Sequence, residues 1–441
     1  MRQATLSLLL LLALLLAACG QATPTPTATI QPTRAPRPTF TPITSGQSTQ
    51  PTQAAQSPTT APATTAAKTA TAVATATPVP VTVTPSATPT IAPPPVKALR
   101  MKSPEYGMQI FPWWRPEVGS RDLQAIEAAG FGWAKVNFGW RDIEGAGKGV
   151  FDWSRTDQIV EMANNDGVDL VIRVDHQPAW AGGGYPTNGA PDNYKDLADF
   201  FTALATRYKG RIRAYEVWNE PNLSREWGGK LPDPGNYAKL LRLCYAAIKA
   251  ADPNAMVISA GLSPTGSWTD TARPDDWYLE SLYIAMGGSS DGYFDVLGAH
   301  GAGFASAPET DPATVAADKS LGGDRSMCFR RVEDLRAIMV KYGDTNKQIA
   351  LLEFGWTSDP RPDSPYNWHA VSEETKADYF VRAYKYAKEN WSPWIGLMSL
   401  IYISDPDWTE ANEQYWWAIT YPGYPQLKPR PAYTALKNMP K

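Results

Sequence analysis

From Tyr106 onward the chain alternates short runs of β-branched, aliphatic and aromatic residues with longer stretches of helical period, and it does so eight times. Strands are expected over Tyr106–Phe111, Trp133–Phe138, Leu170–Asp175, Ala214–Trp218, Met256–Ala260, Val296–His300, Ile349–Phe354 and Ile395–Tyr402. Helices are expected over Arg121–Ala129, Ser154–Asn165, Tyr194–Tyr208, Gly235–Ala251, Asp276–Met286, Arg330–Tyr342, Glu373–Asn390 and Pro431–Asn438. Such alternation calls for parallel strands joined by crossover helices. Eight repeats fit a closed (β/α)8 barrel better than a doubly wound sheet, which would carry a glycine-rich phosphate turn after its first strand. Gly182-Gly183-Gly184 has no Gly-Lys-Ser/Thr after it, and Gly301-Ala302-Gly303 lacks a third glycine, so both read as loops. The chemistry of a barrel sits at the C-terminal ends of its strands, and that is where functional residues are sought.

The repeats begin only after a different kind of chain. Residues 1–100 hold 16 of the 40 prolines but no Asp, Glu or Trp, whereas all 44 acidic residues and all 17 tryptophans lie in 101–441. Met1-Arg2 followed by an apolar run from Leu6 to Ala18 has the order of a secretory signal and is too short for a membrane span. Leu16-Ala17-Ala18-Cys19 resembles a bacterial lipobox, which implies cleavage before Cys19, lipid on its sulfur and a protein displayed on the outer side of a membrane. Plain secretion is the alternative. Residues 20–100, rich in Thr, Ala, Pro, Ser and Gln, cannot bury enough apolar surface to order themselves and read as a stalk, open to O-glycosylation. Such a stalk reaches on the order of 250 Å in polyproline II geometry and about 50 Å as a coil. The organisation expected is therefore a leader over 1–19, a stalk over 20–100 and a barrel over 101–441.

The barrel carries 35 Lys and Arg against 44 Asp and Glu, a net charge of −9. Phosphate neutralisation needs clustered cations, so a nucleic-acid partner is not expected. Three cysteines exclude a disulfide-rich scaffold. The three histidines, His176, His300 and His369, show no ligand spacing, so neither a metal nor another cofactor is expected. Cys244 and Cys328 fall in segments that should not be barrel neighbours and read as free buried thiols.

Two carboxylates stand where barrel chemistry belongs. Glu220 follows Tyr215-Glu216-Val217-Trp218-Asn219, and Glu353 follows Leu351-Leu352. A carboxylate that ends an apolar strand is costly to bury unpaired, so it is paired, metal-bound or used. The blandest reading makes them structural partners at the barrel rim.

Trp218-Asn219-Glu220-Pro221 on the fourth strand and Glu353-Phe354-Gly355 on the seventh resemble clan A of the retaining glycoside hydrolases. Trp140-Arg141-Asp142-Ile143-Glu144, Gly149-Val150-Phe151-Asp152-Trp153-Ser154 and Pro178-Ala179-Trp180-Ala181 look most like families 39 and 5 of that clan. The likeness spans nearly all of 101–441. It implies that Glu220 is the acid/base, Glu353 the nucleophile, and Asn219 the partner of the sugar 2-hydroxyl. Retention needs the two carboxyl groups only about 5 to 5.5 Å apart. The charge on Glu353 is expected to raise the pKa of Glu220, as an acid at neutral pH requires. His300, ending the sixth strand, would orient the carboxylates, and His176, ending the third, is a further candidate for contact with substrate. Indoles stack on the apolar faces of sugars. Of Trp113, Trp114, Trp180, Trp227, Trp356, Trp408, Trp416 and Trp417, the two that most closely follow strands three and seven, Trp180 and Trp356, are the candidates for that role.

The chain departs from the clan pattern in three places. Lys135 stands where relatives often have a strand-two arginine, Ala302 where family 5 has a tyrosine, and Tyr402 or Trp408 where strand eight usually carries a tryptophan. The expectation is a monomeric, lipid-anchored hydrolase of β-linked glycans, with a carbohydrate as its only partner. Two other functions fit the same residues: a non-catalytic carbohydrate-binding lipoprotein, and a transglycosylase in which a sugar hydroxyl replaces water.

Overall fold

The structure, a computed structural model, describes residues 100–441. The leader, Cys19 and the stalk lie outside the described residues. Eight strands close into one barrel in sequence order, every neighbouring pair parallel: β1 (Glu105–Gln109), β2 (Trp133–Gly139), β3 (Asp169–Asp175), β4 (Ala214–Val217), β5 (Met256–Ser259), β6 (Val296–Ala302), β7 (Gln348–Gly355) and β8 (Ile395–Leu400). The crossover helices are α1 (Gly119–Ala128), α2 (Ser154–Asn165), α3 (Tyr194–Arg207), α4 (Pro234–Ala251), α5 (Asp275–Ala285), α6 (Arg331–Lys341), α7 (Glu373–Asn390) and α8 (Pro431–Asn438). Each strand and helix expected from the sequence is present, with ends within two residues of those anticipated.

The helices form for local reasons. On α3, Leu197, Phe200, Phe201 and Leu204 recur at helical spacing and are buried, while the Asn193 side chain caps the first turn by accepting from Lys195 N. Asp233 and Ser372 cap α4 and α7 in the same way, and Pro234 occupies the first helical position.

Strand alternation decides what the barrel holds. Trp133, Val171, Ala214, Met256, Ile258, Val296, Ala350, Leu352 and Leu397 form one buried cluster from seven strands and no helix, so they fill the lower barrel interior. Ala134, Val136, Leu170, Ile172, Tyr215 and Val217 point the other way, into the layer between strands and helices. Two residues beyond the apolar floor, the same inward face carries Lys135 on β2, Arg173 on β3 and Glu216 on β4, all buried. Asn137 and Asp175 come two residues later again.

At β6 and β7 this alternation breaks. The register slips between Ala299 and His300, so His300 lies opposite Glu353 instead of Leu352. Such an irregularity at a barrel rim re-aims side chains, and here it places an imidazole beside a carboxylate. Among the described residues no helix is long and apolar enough to cross a membrane.

Candidate active site

Glu353 sits in a cage of cations that come from strands. Its Oε1 accepts hydrogen bonds from Lys135 Nζ at 2.9 Å and from Arg173 Nη1 at 3.0 Å, and His300 Nε2 lies 3.9 Å away. Lys135 also stands 3.2 Å from the fully buried Glu216, so one ammonium serves two carboxylates. Arg173 Nη1 donates to Asn219 Oδ1 at 3.1 Å, and Arg173 Nε is 3.1 Å from Asp175. Burial pushes the Glu353 carboxyl up, but Lys135, His300 and Arg173 outweigh burial and hold it below the usual range. Glu353 is therefore ionised at neutral pH.

Glu220 is held differently. The chain leaves β4 through two residues with left-handed backbone, Trp218 at φ 77° and Glu220 at φ 37°. His176, at the end of β3, has φ 61°. Side chains other than glycine cost about 1 to 3 kcal/mol each in such conformations, and these cluster around the site. The turn is fixed by Glu220 N donating to Gly261 O. The carboxylate is 1% exposed, with His300 Nδ1 3.1 Å from Oε1 and Arg225 Nη2 donating to Oε2 at 2.7 Å. Burial raises this carboxyl, yet Arg225 and His300 bring it down to about 2.

The raised Glu220 pKa expected from the sequence is thus corrected. That expectation counted the charge of Glu353 and left out Arg225, five residues along, whose guanidinium folds back onto the carboxylate.

Among the remaining candidates, Asn219 is 7% exposed and tied to Arg173, beside Glu220 in the chain. His300 is buried and faces both glutamates. His176 is half-buried, its Nδ1 2.5 Å from Asp175 Oδ1, which also accepts from Asn137. Trp180 is half-buried and edge-on to Trp140, with its Nε1 donating to Glu144 O. Tyr402 is 5% exposed and packs against Phe111 and Trp408, and burial together with the Glu353 charge holds its phenol well above the ordinary value.

Trp356 does not fit its expected role. It is fully buried, its Nε1 donates to Ser306 O, and Phe329, Tyr379, Phe380 and the backbone of Gly303 pack around it, so no face is left for a sugar. The exposed indoles are Trp268, Trp277 and Trp368, which the sequence reading passed over. Trp368, in the loop after β7, stacks on Phe304, which follows β6. Of the departures, Lys135 contacts Glu353 directly, while Tyr402 and Trp408 lie side by side past β8.

Cys244 and Cys328 are free and buried, and burial pushes the Cys328 thiol up to about 12. Among the described residues no group of three or more His, Cys, Asp and Glu side chains is arranged to hold a metal ion.

Residues 96–282, which include β4 and Glu220, match the family model for cellulase, glycosyl hydrolase family 5. The eight-stranded parallel barrel shares its fold with clan A glycoside hydrolases. Solved clan A barrels superpose on it. A family 39 glycoside hydrolase from the gut symbiont Bacteroides cellulosilyticus WH2 does so with a TM-score of 0.53 at 20% identity, over 77% of this chain and 63% of that one. Xylanase 10B from Thermotoga maritima gives 0.51 at 14% identity, over 77% and 94%. A broad specificity family 5 endoglucanase from Clostridium acetobutylicum gives 0.51 at 13% identity, over 76% and 97%. At these identities the likeness to each structure is one of fold, and the chain spans under two thirds of the family 39 protein. No curated protein matches the sequence.

Proposed function

We propose that this clan A barrel hydrolyses β-linked glycosidic bonds of oligo- or polysaccharides with retention of configuration. In this reading Glu353, ionised by its strand-borne cations, attacks the anomeric carbon. Glu220 gives a proton to the departing glycosidic oxygen, and a glycosyl ester forms on Glu353. Glu220, now ionised, takes a proton from water as that water's oxygen bonds to the anomeric carbon, and the ester electron pair returns to Glu353. Asn219, oriented by Arg173, receives the sugar 2-hydroxyl, a contact that strengthens as the ring becomes oxocarbenium-like.

One observation carries the reading: a single imidazole faces both carboxylates, with Nδ1 3.1 Å from Glu220 and Nε2 3.9 Å from Glu353. Two buried carboxylates from strands four and seven are thereby drawn to one side chain at the functional end of the barrel. A pure binder has no need of that arrangement.

The test is a panel of aryl β-glycosides, β-glucans, xylans and mannans, with the anomer of the first product followed by NMR. Turnover with the β-anomer formed first is the expected result. Binding without turnover across the panel would make the protein a carbohydrate-binding module, and an α-anomer would make the mechanism inverting.

We also propose that the leader is cleaved before Cys19 and that the barrel stands off the outer side of a membrane on its stalk. Cys19→Ala should move the protein from the membrane fraction to the medium. Continued membrane retention of that variant would overturn the anchor.

A further inference from the structure

Arg225 sits on a short 3-10 turn, Ser224–Glu226, whose backbone is tied on both sides. Leu223 N donates to Glu220 O, Ser224 N to Thr271 O, and Gly229 N to Ser224 O, while the Trp218 indole donates to Glu226 O. The Arg225 side chain projects from this turn. It is 30% exposed, whereas the Glu220 side chain it grips is 1% exposed, so it reaches the carboxylate from the open side. A second carboxylate waits beside it, with Glu226 Oε1 3.6 Å from Arg225 Nε. Glu226 Oε2 accepts from Asn188 Nδ2 at 2.6 Å, which holds that carboxylate in place.

The arrangement sets a problem for the chemistry above. A general acid must carry a proton when substrate arrives, and a buried carboxylate clasped by a guanidinium carries none. We propose that Arg225 is a positioning residue that moves between two carboxylates, gripping Glu220 before substrate binds and turning to Glu226 when the leaving-group unit of a glycan enters. This rests on the reading of Glu220 as the acid/base.

With Arg225 withdrawn, burial acts on Glu220 unopposed by that charge, and the carboxylate takes one proton from solvent. It delivers that proton to the glycosidic oxygen as the bond from the anomeric carbon breaks, the electron pair staying on oxygen, and Glu353 closes the ester. Glu220 is then an anion again, which gives Arg225 its partner back. The two positions of one guanidinium thus match the two protonation states that retention demands.

Other titratable groups face this pair. His300 approaches Glu220 from β6, Glu353 from β7 and Tyr402 from beyond β8. Tyr366, from the loop after β7, lies near Arg225, and Asp175 on β3 lies near Glu226. Arg225 alone among these groups is both ionic and carried on a partly open loop side chain.

Two measurements on the whole protein test this. The first is the pH dependence of kcat/KM on an aryl β-glycoside for the native protein, R225K, R225Q and E226Q. R225Q should move the alkaline limb upward by about 1 to 3 pH units, the reach of one close opposite charge. R225K should restore the native limb, and E226Q, by removing the second carboxylate that competes for Arg225, should move the limb downward. An alkaline limb unmoved in R225Q, or moved the same way in R225Q and E226Q, would overturn the proposal.

The second is an infrared titration of the Glu220 carboxyl in substrate-free protein, assigned by subtracting the E220Q spectrum. Glu220 should take up its proton at higher pH in R225Q than in native protein, and an unchanged midpoint would overturn the proposal. This readout needs no turnover, so a failed substrate panel would sink the hydrolase reading while the titration still decides for or against Arg225.

Discussion

The ends of β4 and β7 each present a buried glutamate to the same imidazole, yet the two charges are secured in opposite ways. At β7 the partners of Glu353 are Lys135 and Arg173, which are themselves strand residues, nearly inaccessible and shared with Glu216, Asn219 and Asp175. Both are anchored in the barrel wall. At β4 the partner of Glu220 is Arg225, on a loop turn and partly open, with another carboxylate within reach. On the proposed mechanism, the nucleophile, which must stay ionised, is built into the framework. The proposed acid/base, which must alternate between protonation states, is partnered by an arginine on a partly open turn.

The sharpest way to break this comparison is to remove each carboxylate in turn. Glu353→Ala deletes the proposed nucleophile and should abolish turnover, by about 10⁶-fold on the scale seen for lost nucleophiles. Glu220→Ala should lower kcat by about 10² to 10⁴ on poor leaving groups. The deficit should shrink on activated aryl glycosides, which leave without a proton. Equal losses on both classes would deny Glu220 the acid role.

Lys135→Met tests the fixed half. It leaves Glu353 and Glu216 short of their shared cation, and breaking a buried pair in this way costs about 3 to 5 kcal/mol, read as a lower urea midpoint. Lys135 is also the foremost of the charges that hold Glu353 down, so the acid limb of kcat/KM should move to higher pH. Trp356→Ala should cost a similar amount, about 3 to 5 kcal/mol, because it empties a packed site. Its KM should scarcely change, since the indole faces no cleft.

Acid should also tell the two pairings apart. Both carboxylates have folded values below the ordinary one, so both contribute stability at neutral pH that disappears on acidification. For Glu220 the loss should begin near pH 4, around the unfolded value of about 4.3, and run down to about 2. Urea midpoints measured against pH should fall through that window in the native protein and less steeply in R225Q. Equal slopes would mean that Arg225 contributes nothing to the ionised form.

The smallest effect is expected at the surface. Trp368→Ala should change stability by no more than about 0.5 kcal/mol.

The fold was legible because each element satisfies its own periodicity: Leu197, Phe200, Phe201 and Leu204 mark one face of a helix as plainly as Leu170, Ile172 and Val174 mark one face of a strand. Glu220 and Glu353 were legible because a carboxylate ending an apolar run demands an explanation. The cage around Glu353 was written in the same strands, as polar residues at alternate positions: Lys135 and Asn137 on β2, Arg173 and Asp175 on β3, Glu216 on β4. Searching only strand ends missed all of these but Lys135, which entered as a departure from the clan pattern. Arg225 was not legible, since its reach back to Glu220 depends on a left-handed turn and on hydrogen bonds to Thr271 and Asn188 from distant loops. Closeness to a strand end likewise misled at Trp356, because sequence distance does not say whether an indole turns toward the cleft or under it.

The central claim is that Glu353 becomes covalently bonded to the sugar while Glu220 exchanges protons. A 2-deoxy-2-fluoro β-glycoside with a good leaving group slows breakdown of the ester and traps it, and mass spectrometry of the digested protein locates it. One fluoroglycosyl group on Glu353, with activity lost in proportion, is the result this account predicts. A label on Glu220 or Glu216, or full turnover with no trapped ester and an inverted product, would contradict it.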